Sequence, residues 1–149
     1  LFLNVSLVSL SHRGKPDILM LQKAYIKPQN DTRIGIGKGG DCANFVSQCV
    51  YAGGVPIHGG WSPDSVAWIN AASLKNNMLQ YGYATKEDAW ETNAGNFAYT
   101  TAGQGHIVLV TLNDTVTLAY TAHTTNCKDQ PFTQANINGG YSFYIIKNF

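Results

Sequence analysis

At Asn96 the hydrophobic period of this chain changes from that of helices to that of strands, and it does not change back. A chain built this way reads as helices followed by an antiparallel meander, because a parallel sheet needs strand and helix to alternate. Upstream, "KPDILMLQKAYI" spaces Ile18, Leu21 and Tyr25 along one helical face. Next, Asp41 can cap a helix from Cys42 to about Ala52, stopped by Gly53 and Gly54, with Cys42, Val46, Cys49 and Val50 as its inward stripe. A third helix lies within "SPDSVAWINAASLKNNML", where Ser62 and Asn70 are both possible starts. Downstream, "HIVLVTL" and "TVTLAYTAH" are rich in β-branched residues and are separated by Asn113 and Asp114, a pair suited to a two-residue hairpin turn. The last strand, "YSFYIIKN", is entered through Gly139 and Gly140. The expectation is an α+β domain, residues 1–149, with its helices packed on the sheet.

The 149 residues suffice for one domain with a core of its own. A net charge of +1 with 13% charged residues supplies neither a basic stripe nor an acidic tail, which argues against a nucleic-acid partner. The opening run "LFLNVSLVSL" is too short to span a bilayer, and Arg13 and Lys15 follow it where a signal peptide would place charge before. It reads as part of an N-terminal extension, residues 1–15, and no membrane span is expected. Abundant Asn, Thr and Gly suit a secreted or cell-envelope protein. Three cysteines, at 42, 49 and 127, do not make a disulfide framework and leave room for a reactive thiol.

Residues 35–40, "GIGKGG", fit a dinucleotide-binding fingerprint, yet the preceding "KPQNDTRI" is polar and no buried strand feeds the turn. The glycines, Gly40 among them, are better suited to letting a substrate backbone lie beside residue 42. A cysteine in the first turn of a helix is favoured as thiolate by the dipole and the unpaired N–H groups there. The same groups, at Cys42 and Ala43, can hold an oxyanion. Cys49, seven residues deeper on the stripe, reads as core.

A nucleophilic thiol needs a base and a group to orient it. His12 and His58 fall in polar or Gly-rich loops and read as bystanders. His106 begins one strand and His123 ends its partner. With a two-residue turn at Asn113 and Asp114, these two histidines would project from one sheet face as diagonal neighbours, a base and its orienter. Asp41 has two readings, helix cap and participant in the site. Trp61 and Trp68 read as core, with Trp61 also a candidate wall of a substrate groove.

"GGDCANFVSQCVYAGG", "WINAASLKNNM", "GHIVLVT" and "YTAHTTN" together resemble the bacterial putative amidase domain family, a branch of the papain-like superfamily that includes NlpC-type and CHAP-type cell-wall hydrolases. The resemblance runs in order from about residue 16 to the end. It implies a papain-like fold with a catalytic cysteine at a helix N-terminus, in which Cys42 is the nucleophile, His106 the base and His123 the polar third member. Cysteine before histidine also argues against the permuted lipid acyltransferases. Gly95 and Asn96 stand where relatives tend to show Gly-Asp, and the N-terminal extension lies outside the resemblance.

The resulting expectation is a monomeric cysteine amidase or peptidase that uses no cofactor or metal and cleaves an amide bond in peptidoglycan peptides. If such an enzyme served as a toxin, a cognate inhibitor would accompany it. Two rivals stand beside it: a zinc module built from Cys42, His106, His123 and Cys127, and an inactive binding domain on the same fold.

Overall fold

Helix α1, Asp41–Ala52, is the first element of the computed structural model, which describes residues 41–123 and 127–149. The glycines of residues 35–40 and the helix read from residues 15–26 lie outside the described residues. Cys42, Val46, Cys49 and Val50 are all buried, as is every other residue from 42 to 50, so the helix is enclosed on all sides there and not along one stripe alone. The helix stops where the Gly53 amide bonds to the Cys49 carbonyl at 3.0 Å and Gly54 takes φ +98°, a conformation that glycine adopts without strain.

The third helical stretch is two helices, α2 (Val66–Ile69) and α3 (Ala71–Gln80). They part at Asn70, whose backbone is extended and whose side chain accepts a 2.9 Å bond from the Ser73 amide. An asparagine that caps the following helix cannot also continue the preceding one, so Asn70 is the break.

Six strands follow: β1 (Ala84–Glu87), β2 (Phe97–Thr100), β3 (His106–Asn113), β4 (Leu118–Ala122), β5 (Cys127–Pro131) and β6 (Ser142–Ile146). They form one antiparallel sheet in the order β1-β6-β2-β3-β4-β5. Both edge strands are short and mostly exposed, and they carry Lys86 and Glu87 or Lys128, Asp129 and Pro131, residues that discourage pairing with another chain. Both faces of the sheet are covered. Phe97, Ile107, Leu109, Tyr144 and Ile146 pack with the helices, whereas Ala98, Val108, Val110 and Phe143 pack with Ala89, Leu118, Ala122 and Phe132 on the far side. Burial on both faces explains why β3 reads as an unbroken apolar run, "IVLV", rather than as alternating apolar and polar residues.

The β3–β4 hairpin differs from the expected two-residue turn. Its loop is Asp114–Thr117, in which the Asp114 carboxylate accepts from the Val116 and Thr117 amides at 2.9 and 2.6 Å and Thr115 takes φ +72°. A side chain that satisfies two loop amides stabilises a longer connection than the Asn-Asp pair suggests. A register shift between Val110 and Leu112 adds to the offset, and Leu109 stands opposite Thr121. Continuing that register places Ile107 opposite His123, where a two-residue turn would place Gln104.

Asn96, which replaces the acid of the Gly-Asp pattern, is fully buried. Its Oδ1 accepts the Ile146 amide at 3.0 Å and so ties the start of β2 to β6. An aspartate oxygen could accept the same bond.

Candidate active site

The first turn of α1 meets the beginning of β3 at the Cys42 sulfur. Cys42 as a residue is only 6% exposed. The amide of Ile107 from β3, that of Ala43 and its own amide all approach the sulfur and favour its ionised form. Burial opposes them and is the larger effect, and the Asp41 carboxylate adds repulsion, so the thiol titrates above its ordinary value. This corrects the expectation of a depressed thiol pKa from the helix dipole. A first-turn position lowers a thiol's pKa where water also reaches it, and here the sulfur is desolvated.

Asp41, one residue before the thiol, bridges two side chains. One carboxylate oxygen accepts from Asn44 Nδ2 at 3.0 Å, and the other lies 3.1 Å from His123 Nδ1. Asp41 thus touches both its own helix and the end of β4, from the first position of α1. The His123 ring is buried and stacks on Phe45 of α1, with centroids 4.4 Å apart and planes 19° from parallel. His106 is half-buried, and burial pulls its pKa below the ordinary histidine value, which leaves a neutral imidazole at physiological pH. It directly precedes Ile107, whose amide reaches the Cys42 sulfur.

Strand alternation assigns the two histidines differently from the expectation. Ile107 and Leu109 face the helices, Val108 and Val110 the far side, so His106 has the far-side parity. His123 continues the helix-side parity of Thr121, in keeping with its contacts to Asp41 and Phe45. The structure thus draws Cys42, Asp41 and His123 together at the end of α1 and sets His106 at the strand position adjoining the thiol's amide partner. The same-face diagonal pair inferred from a two-residue turn is not formed.

Among the other candidates, Ala43 is fully buried with its amide toward the sulfur, while Gly40 lies outside the described residues. Trp61 is not a groove wall. It is 0% exposed, stacks on Trp68 with centroids 5.0 Å apart, and donates its indole N–H to Ser47 Oγ at 3.1 Å. Trp61→Ala is therefore expected to cost about 3–5 kcal/mol in a denaturant titration, with no change in the rate at which folded protein turns over substrate. His58 is not a solvated bystander either. It accepts the Gly60 amide on Nδ1, bonds Asn77 Oδ1 through Nε2 at 3.1 Å, and stacks on Tyr81 at 3.7 Å. Cys49 is a core residue whose thiol burial drives far above its ordinary pKa. Cys127 is half-buried and paired with Ala122, and among the described residues no group of three or more His, Cys, Asp or Glu side chains is arranged to hold an ion.

Residues 22–146 match the family described as Putative amidase domain. The chain belongs to that family. Membership in this amidase family points to hydrolysis of an amide bond, and its span takes in α1, both histidines and all six strands. The chain is also similar to "Uncharacterized protein YjcM" of Bacillus subtilis (strain 168), with 26% identity over 139 residues, covering 83% of this chain and 34% of that protein. The chain thus spans about a third of the length of this relative. No solved structure matches it.

Asn44 and Phe45 belong to the candidate site although the sequence reading did not single them out for it, and Trp68 reaches it through Asn44. A signal for Asn44 was present: it lies three residues after Asp41, where side chains on a helix meet.

Proposed function

We propose that this amidase is a papain-like cysteine hydrolase that cleaves an amide bond in bacterial cell-wall peptides. The observation that carries this reading is the setting of Cys42: a thiol among three backbone N–H groups where the first turn of α1 meets β3, one residue from the Asp41–His123 pair. In the assignment that the family resemblance implies, His106, at the strand end beside Ile107, takes the thiol proton as the sulfur attacks the carbonyl, and the amides of Cys42 and Ala43 stabilise the oxyanion. His106 then protonates the leaving amine, and water releases the acyl group from sulfur. His123, held on Nδ1 by Asp41, is the third member. The far-side parity of His106 counts against this assignment. A second assignment, with His123 as base and Asp41 as its orienter, is favoured by that carboxylate bond, the arrangement in which a base acquires a fixed tautomer.

A wall substrate implies action in the envelope or outside the cell, as a monomer, and an inhibitor if the enzyme is used against rivals. The test is incubation with purified peptidoglycan followed by mass analysis of the soluble fragments. New amine and carboxyl ends at one bond type are expected. Intact peptidoglycan alongside turnover of other amides would overturn the substrate class, and equal fragment release by Cys42→Ala would overturn the chemistry.

A further inference from the structure

The carboxylate that holds His123 is itself held, and the chain of bonds behind it has a direction. Trp68 of α2 donates its indole N–H to Asn44 Oδ1 at 2.9 Å, Asn44 Nδ2 donates to Asp41 at 3.0 Å, and the second Asp41 oxygen lies 3.1 Å from His123 Nδ1. An indole nitrogen can only donate, so the Asn44 atom facing it must be the carbonyl oxygen. The amide group of Asn44 must then face Asp41, which as a carboxylate can only accept. A flipped Asn44 would set donor against donor at one end and acceptor against acceptor at the other. The Trp68 indole is fixed in turn. It is 3% exposed, it stacks on Trp61, and its backbone carbonyl accepts the Ser47 hydroxyl of α1 at 3.0 Å. Two bonds thus join α1 to α2 on either side of one tryptophan.

We infer that Asn44, oriented by Trp68, is a positioning residue for the site: it fixes the Asp41 carboxylate so that neutral His123 carries its proton on Nδ1 and its lone pair on Nε2. A carboxylate with only one restrained oxygen could swing about its χ2 axis and release the ring. With Asn44 on the other oxygen, both are committed, and a polarity that begins at a buried indole N–H ends as the tautomer of a histidine next to a thiol. The inference rests on the proposed cysteine chemistry for its consequence on turnover. Its consequence on the tautomer does not need that chemistry.

The test uses the whole chain with 15N-labelled histidine. At mildly alkaline pH, two-bond 1H–15N spectra should show His123 as a single Nδ1–H tautomer. Asn44→Leu, which removes both bonds at nearly constant volume, and Trp68→Phe, which removes the donor and keeps an aromatic ring, should each give a mixture of tautomers. Both should lower kcat on wall peptide by about 10- to 100-fold, the usual effect of removing a group that orients a functional histidine, with KM unchanged. Retention of one Nδ1–H tautomer in either folded variant overturns the inference. If neither variant folds, wild-type protein decides it, since an Nε2–H tautomer or a mixture there overturns it equally. If Cys42→Ala keeps full activity while the spectra behave as expected, the cysteine mechanism fails and the assignment of Asn44 to the tautomer stands.

Discussion

Cys42→Ala is expected to reduce amide hydrolysis by on the order of a millionfold, the scale of deleting a nucleophile, and to leave the fold intact. Its thermal midpoint should fall only as far as loss of one buried sulfur at the end of α1 allows. Cys49→Ala supplies the contrast. That residue is 1% exposed in the core between α1 and the sheet, so loss of its sulfur should cost about 1–2 kcal/mol and leave turnover per folded molecule unchanged. Turnover and denaturant midpoint, measured on both variants, separate the two roles. Equal loss of activity in two folded proteins would show that the roles assigned to the cysteines are wrong.

The second large effect distinguishes the histidines. With His106 as base, His106→Ala should lose about two to four powers of ten in kcat, whereas His123→Asn should retain much more. If the Asp41–His123 bond instead marks the base, His123→Asn should be the more damaged variant. Dependence on pH tests the resting state independently. Burial lowers the His106 pKa and raises that of Cys42, so the resting pair is neutral imidazole and thiol. Turnover should rise as pH climbs through a value below 6.5, the ordinary histidine pKa, and then hold. Alkylation of Cys42 requires thiolate, so its rate should still be increasing at pH 9.0, the ordinary thiol value. An alkylation rate already flat at neutral pH would mean a thiolate–imidazolium pair and would overturn the neutral resting state.

The fold class and α1 were legible because they depend on local signals: a change of period, a capping aspartate, a pair of glycines and a stripe of four buried residues. β1, "ATKE", and β5, "CKDQP", were not legible. Both are edge strands with little buried surface, so neither carries an apolar pattern. β2, "FAYT", is four residues long and is a strand because β3 and β6 flank it, a cause that no window of its own sequence contains. At the site, the convergence of Asp41 and His123 depends on a hairpin register set by the Asp114 carboxylate and a bulge near Thr111. A change of a single residue in that register decides whether His106 and His123 share a face. Trp61 is core, in keeping with the sequence reading, but His58 was misread for a related reason. Its Gly-rich flank suggests exposure, whereas Asn77, which bonds its ring, comes from α3.

A sulfur that rests protonated in a residue 6% exposed has a chemical lifetime different from that of an exposed thiolate. Peroxides and disulfides react with the ionised form, so both burial and protonation slow the first step toward sulfenic acid or a mixed disulfide. Activation would come when substrate and base arrive together, and the cysteine would be spared between turnovers. On the proposed cysteine chemistry, a nucleophile kept in this state would survive long periods in aerated surroundings without a reducing system to repair it.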